Sequence, residues 1–247
     1  MLTFCDFHYQ KQQRTDWHQH RSGQLYYPLS GTMMIETDSV QWLVTPGTLA
    51  WFPPDTVHRS TPGSQVSGIN IYFQTTEYLC CPAIPHLFRV GTFIPGLLER
   101  LRDNSDQDYC RLALALLAHE IAAAPSLPHH IVLPQDRRAR AVAIYIVANP
   151  DTSLTRTELA GQQGLSERTL SRLFRQQTGL SFSQWRQQTK LVSSLEAVLT
   201  GERIEAIAEN FGYANTSTYI AAFRQHFGRT PAKFRQSQSQ PDSDNTC

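Results

Sequence analysis

Two stretches in the second half of the chain share one pattern: a capped helix, a glycine turn and a second helix with a polar outer face. In the first stretch, Thr155 and Glu158 have the spacing of a capping box, which predicts the start of a helix. Gly164 supplies a left-handed turn that a residue with a Cβ would resist. Ser166 then caps the second helix. Its expected buried face is apolar and consists of Leu170, Leu173 and Phe174.

The pattern recurs about fifty residues later, with Gly212 at the turn and Thr216 at the start of the second helix. Pro231, preceded by a threonine, predicts one further helix. Between the two units, a capping box at Ser181–Gln184 opens a helix that should run to Thr200. A helix of about eighteen residues spans roughly 27 Å, which suits two reading helices about one DNA turn apart, roughly 34 Å.

A helix, a glycine turn and a second helix with a polar face make up the helix-turn-helix pattern. The second helix of this pattern enters the major groove of DNA. The candidate DNA-contacting residues share the outer faces of the two second helices: Ser166, Arg168, Ser171, Arg172, Arg175, Thr216, Ser217, Thr218, Ile220 and Arg224. Arg172 is suited to a bidentate pair with guanine, which discriminates by about 1–3 kcal/mol. Arg175, one turn later, is suited to a phosphate. We therefore expect the first unit to supply most base discrimination.

The charge of the chain is divided between its halves. The net charge is +1, but residues 1–136 carry −4, residues 137–236 carry +7 and the last eleven residues carry −2. A basic half joined to an acidic half is expected if one half meets phosphates and the other does not.

The front half favours short strands. Alternating or β-rich runs such as QLYYPL, GTMMIE and VQWLV are broken by turn residues about every ten positions, which predicts a small antiparallel barrel or sandwich. The expected fold class is therefore α+β in two domains. We expect a sensing or dimerisation domain at 1–125, a linker at 126–136, a DNA-binding domain at 137–236 and a disordered tail at 237–247.

Residues 137–235 resemble the DNA-binding domain of the AraC/XylS family of bacterial transcription regulators. The stretches that carry the resemblance are GLSERTLSRLFRQQTG and FGYANTSTYIAAFRQHFGRTPAKFR. The resemblance implies control of promoters through double-stranded DNA, with RNA polymerase as a further partner if the protein is an activator.

The front domain resembles the two cupin motifs, on which His18, His20 and His58 match three metal-binding histidines. Gln24 stands where that family usually has glutamate. His18 and His20 are two positions apart and would point to the same face of a strand. Three imidazoles are suited to a divalent transition metal such as Zn, Ni, Mn or Fe.

Two alternatives to a metal stay open for this cluster: an organic-effector pocket without metal, and a purely structural role. The candidate lining of an effector pocket is aromatic: Tyr26, Trp42, Trp51 and Phe52. A helix around Leu112–Ile121 is apolar nearly all round, so one of its faces needs a partner. That partner is either a second copy, which makes a homodimer, or the other domain of the same chain.

The sequence thus predicts a ligand-responsive, sequence-specific DNA-binding regulator and not an enzyme. The alternatives are a metal-dependent cupin enzyme with a DNA-binding tail, and a constitutive regulator whose barrel only dimerises. Apolar runs such as Ala113–Ala118 are too short to span a bilayer, and no apolar signal core is found. Five cysteines without metal-site spacing suit reduced thiols. We therefore expect a cytoplasmic protein without membrane contact.

Overall fold

A computed structural model describes residues 2–11, 13–73, 81–91, 93–104, 106–124 and 127–239. Within them the chain forms two compact units. One contains Met1–Thr37 and Val44–His129, and the other contains Asp38–Leu43 and His130–Ser237. The expected fold class is confirmed: an antiparallel sheet domain is followed by a helical helix-turn-helix domain.

The strands come early and the helices late. The strands are β1 (Leu2–Tyr9), β2 (Gly23–Ser30), β3 (Met33–Glu36), β4 (Val40–Val44), β5 (Thr48–Phe52), β6 (Arg59–Pro62), β7 (Val66–Phe73), β8 (His86–Arg89) and β9 (His130–Val132). The helices are α1 (Phe93–Asp103), α2 (Gln107–Ala123), α3 (Arg137–Ala148), α4 (Arg156–Gln162), α5 (Glu167–Thr178), α6 (Phe182–Leu199), α7 (Ile204–Asn210), α8 (Thr216–Phe227) and α9 (Pro231–Ser239).

The five-stranded sheet has the order β1-β7-β2-β5-β8 and antiparallel pairing throughout. A second sheet has the order β6-β3-β4-β9. Because side chains alternate along a strand, the larger sheet has two distinct faces. One face packs against α1 and α2 and forms an apolar core, with Leu25, Trp51, Ile71, Phe73, Leu98 and Leu117 among its members.

The helical unit has its own aromatic core. Phe174 of α5 packs edge-on against Phe182 and Trp185 of α6, and Phe223 of α8 packs against Phe234 of α9. The indole N–H of Trp185 also donates to the carbonyl oxygen of Val132 in β9, at 2.6 Å. The connector helix α6 is thereby fixed to the first helix-turn-helix unit and to β9.

Two boundaries differ from the sequence prediction. The expected linker 126–136 contains strand β9, whose Ile131 is buried and lies opposite Gln41 of β4. A three-residue strand between prolines carries too little pattern to be recognised. The expected tail at 237–247 is helical up to Ser239, because α9 continues, and residues 240–247 lie outside the described residues. Among the described helices, every one is too short or too polar to traverse a lipid bilayer.

Candidate functional site

The first helix-turn-helix unit forms from local hydrogen bonds that its sequence encodes. Thr155 and Glu158 make both bonds of a capping box at the start of α4. Gly164 has a φ of +63°, so the turn uses the left-handed conformation that favours glycine. The hydroxyl of Ser166 accepts from the backbone N–H of Thr169 and caps α5. These bonds fix the starts of α4 and α5 and the turn between them.

Three arginines stand on the solvent side of α5. Arg168, Arg172 and Arg175 are all exposed, whereas Leu170, Leu173 and Phe174 are buried. This face therefore presents charged donors, which suit guanine edges and phosphates.

Two predicted DNA-contacting serines of α5 have local partners. Ser171 donates to the carbonyl oxygen of Glu167 at 2.9 Å, and Ser166 is the N-cap. The Ser166 hydroxyl therefore stabilises the start of α5, whereas the Ser171 hydroxyl is engaged with the helix backbone in the unbound protein.

The second helix-turn-helix unit has the same order of helix, glycine turn and helix, but its second helix exposes different side chains. Gly212 has a φ of +65°, and α8 starts after the N-cap Asn215, whose side chain accepts from Thr218 N–H at 2.8 Å. Asn215 was not predicted as a cap from the sequence, although asparagine is among the preferred N-cap residues. The predicted contact residues of α8 are exposed or half-buried: Thr216, Ser217, Thr218, Ile220 and Arg224. Arg224 is the only arginine of α8, against three in α5.

Three histidines lie close together in the sheet domain, the compact unit that contains Met1–Thr37 and Val44–His129. The resemblance to the cupin motifs implies this cluster. His18 and His58 form an isolated antiparallel bridge, and the ring of His20 lies 5.0 Å from that of His18 and 5.4 Å from that of His58. One potential ligand atom of each residue lies within 4.8 Å of the other two. His58 is 5% exposed, so the cluster reaches into the protein.

The hydrogen bonds of the cluster leave one nitrogen of each ring available. The Nδ1 atoms of His18 and His58 each lie 2.8 Å from a backbone carbonyl oxygen, of Asp16 and Thr56 respectively. Because a carbonyl oxygen only accepts, each Nδ1 carries a proton, and in the neutral ring the Nε2 then presents its lone pair. Within the described structure, the buried Nε2 of His20 has no partner.

Two histidines of the cluster, His20 and His58, favour the neutral form. Burial, with smaller contributions from the neighbouring His18 and His20, lowers the pKa of His58 to about 4 against the opposing effect of the hydrogen bond to the Thr56 carbonyl. Burial, followed by the charge of His18, also lowers the pKa of His20. Neutral imidazole is the form that binds metals.

Gln24 shares a sheet face with the residues that touch the histidines. It lies directly opposite Phe52 of β5 and Tyr72 of β7. Phe52 stacks on His58 with 5.1 Å between ring centroids, and Tyr72 meets His20 at the same distance. Residues opposite one another on neighbouring strands point to the same face, so Gln24 points toward the side of the cluster.

This polar face, defined by Gln24, Tyr26 and Phe52, contains buried polar atoms without partners among the described residues. The Gln24 amide donates to Asn70 at 3.0 Å, but its Oε1 has no donor. The hydroxyl of Tyr26 is equally unpartnered, and its ring stacks on Phe7. Burial raises the pKa of Tyr26, which keeps its hydroxyl protonated. Buried polar atoms without partners are costly, and a bound ligand or water would satisfy them.

Two of the four aromatic residues predicted to line a pocket share the polar face. Tyr26 and Phe52 lie on the polar face, but Trp51 lies on the opposite face, in the core against α1 and α2. Its indole N–H donates to the Pro82 carbonyl at 2.8 Å. Trp42 lies in β4 opposite His130 and belongs to the compact unit that contains Asp38–Leu43 and His130–Ser237. Trp51 and Phe52 point to opposite faces because side chains alternate along a strand.

Comparisons with known proteins match both units. The AraC-like ligand binding domain matches residues 4–124, and a helix-turn-helix domain matches residues 159–237. The chain is 28% identical over 222 residues to the HTH-type transcriptional regulator NimR of Escherichia coli strain K12, covering 88% of this chain and 81% of that protein. It is 25% identical over 231 residues to the arabinose operon regulatory protein of Salmonella typhimurium, covering 84% and 81%. The regulator RipA of Corynebacterium glutamicum is 41% identical over 106 residues, covering 43% and 32%.

Proposed function

Since the chain belongs to the AraC family of transcription regulators and is an effector-responsive DNA-binding regulator, we propose that it reads its operator mainly through α5. The observation that carries this proposal is the exposed face of Arg168, Arg172 and Arg175. An arginine fork discriminates guanine from other bases, whereas the exposed alanine and threonines of α8 offer weaker base contacts. In this proposal α8 contributes mainly position and affinity.

The tandem layout predicts the footprint. Two reading helices on one connector should contact one face of the duplex in two major-groove segments, about 10 base pairs apart. Hydroxyl-radical footprinting on a duplex selected from a random library tests this directly. Two protected windows with that spacing are expected, and one window alone would contradict reading by both units.

The enzyme alternative is set aside, because the matching domains and relatives are those of transcription regulators. A constitutive regulator is set aside as well, since an AraC-like ligand binding domain covers the first unit. For the site of the signal we propose the polar face and the three histidines beside it.

We propose that His18, His20 and His58 bind a divalent transition metal, with Zn, Ni, Mn and Fe as candidates. Three imidazoles, which bind metals in their neutral form, make a ligand set typical of these metals. The unpartnered Oε1 of Gln24 is a neutral oxygen on the same side of the sheet. Such a metal would supply an open coordination position to an effector ligand, while Tyr26 and Gln24 would orient that ligand by hydrogen bonds. Without metal, the same histidines would contact an organic effector themselves.

A homodimer is the proposed assembly. Leu112 and Leu116 are four residues apart on α2 and are 61% and 42% exposed, although Leu114, Leu117 and Ile121 of the same helix are buried. Residues at i and i+4 share one face of a helix, so the two leucines form one apolar patch. A second copy of α2 is the proposed partner of this patch. We further propose a cytoplasmic location, where the regulator meets promoter DNA, and contact with RNA polymerase at promoters that it activates.

A further inference from the structure

A polar cleft of about 490 Å³ lies within the helical unit, outside the exposed faces of the two reading helices. We call it the connector cleft. The starts of α4 and α5 form one wall, with Arg156 and Glu167, and the connector helix α6 forms the other, with Arg186, Gln187 and Lys190.

The connector cleft has an excess of positive charge. Arg156 donates from two of its nitrogens to Glu167, and the Thr157 hydroxyl donates to the other oxygen of the same carboxylate at 2.6 Å. The negative charge of Glu167 is therefore balanced by Arg156, on the same side of the cleft. Arg186 and Lys190 remain as two cations one helical turn apart, and the single carboxylate among the residues that line the cleft, Glu167, is already paired with Arg156.

Backbone carbonyls hold both cations in place. Arg186 donates to the carbonyl oxygens of Thr152 and Leu154, and Lys190 donates to that of Gly212 at 3.0 Å. A carbonyl fixes a cation but does not cancel its charge. A guanidinium has five N–H donors and an ammonium three, so these bonds leave donors for a further acceptor.

Half-burial makes this charge costly. Burial lowers the pKa of Arg186. Burial and then the charge of Arg186 lower the pKa of Lys190, against an opposing effect of Asp151. An anion in the cleft would relieve this repulsion.

The cleft lies between the two reading units. Glu167 is the first residue of the reading helix α5. On the other side, Gln187 donates to the hydroxyl of Tyr213 at 3.1 Å, and the Lys190 ammonium lies 5.5 Å from the Tyr213 ring, just after the turn of the second unit. Between two major-groove segments on one face of DNA, the duplex presents the phosphates that border the minor groove.

We propose that the connector cleft binds a phosphate of the DNA backbone between the segments read by α5 and α8, through Arg186 and Lys190. This contact goes beyond the proposed reading of bases, because a phosphate carries no sequence information. It gives the connector helix a direct role in DNA affinity, in addition to holding the two units apart.

The test is the salt dependence of binding to a non-specific duplex, with the full-length protein. Each neutralised phosphate contributes about 0.9 to the slope of log affinity against log salt concentration. For Lys190→Gln with Arg186→Gln, we expect this slope to fall by about one and the affinity at low salt to fall about tenfold. Lys190→Arg keeps the charge and should keep the slope. Lys11→Gln, which removes an exposed lysine of the first unit, is the matched control.

A structural role for the two cations predicts something else. If the double variant binds more weakly but with the wild-type slope, the cations only hold the fold and the proposal is overturned. The same conclusion follows if its slope changes no more than that of Lys11→Gln. Preference for a selected operator over the non-specific duplex should persist in the double variant, which separates this contact from base reading by α5.

Discussion

His18 and His58 exchange both backbone hydrogen bonds of an isolated β-bridge, with N to O distances of 3.0 and 2.9 Å. Their rings lie 4.5 Å apart. The bridge fixes two residues from distant parts of the sequence in one register and places the cluster beside the polar face. The proposed metal and effector site therefore depends on backbone pairing as much as on the histidines themselves.

The cluster predicts a bound metal. Purified, untagged protein should contain about one divalent transition metal per chain, and His58→Ala should lose it because two imidazoles bind such ions much more weakly than three. Elemental mass spectrometry measures the content. His8→Ala, which removes an exposed histidine of β1, should retain the metal. Equal metal in wild type and His58→Ala, or none in either, would contradict a metal site at the cluster.

The apolar patch of α2 predicts a dimer. Leu116→Glu places a charge in the proposed contact. The dissociation constant of the dimer should therefore be at least tenfold higher than that of the wild type. Sedimentation equilibrium measures this constant. Leu29→Glu, at another exposed leucine, should leave it unchanged. A wild-type protein that stays monomeric at high concentration would exclude this assembly.

Close packing behind the polar face predicts opposite effects at two glycines. A Cβ at Gly23 would lie 2.1 Å from Cη2 of the buried Trp51, so Gly23→Ala should lower the free energy of unfolding by about 1–3 kcal/mol. A Cβ at Gly96, in helix α1, meets no atom within 4 Å. Gly96→Ala should therefore raise the free energy of unfolding by about 0.5–1 kcal/mol. Urea denaturation measures both. A Gly23→Ala protein as stable as wild type would show that Trp51 moves freely.

The helical unit was predictable because its signals are local. Thr155 with Glu158 and Ser181 with Gln184 form the capping boxes that their spacing indicated, and Gly164 and Gly212 adopt the expected left-handed turns. Each of these features depends on residues within four positions of one another.

The sheet domain was harder to predict because its contacts join residues that are far apart in the sequence. Strand β1 went unrecognised, since most of LTFCDFHY stays exposed or half-buried at the edge of the sheet, beside β7. The polar face depends on the register of Gln24 with Phe52 and Tyr72, which sequence spacing does not reveal. The placement of Trp51 with Phe52 in one pocket was avoidable, because neighbours on a strand point to opposite faces.

The most direct test of the account compares one residue from each reading helix. Duplexes selected from a random library by wild type, Arg172→Ala and Ser217→Ala give the base preference at every operator position. Arg172→Ala should relax the preference for guanine at one position by about 1–3 kcal/mol, because it removes a bidentate fork, whereas Ser217→Ala should change base preference little. Equal relaxation by the two variants, or a larger effect of Ser217→Ala, would contradict operator reading mainly through α5.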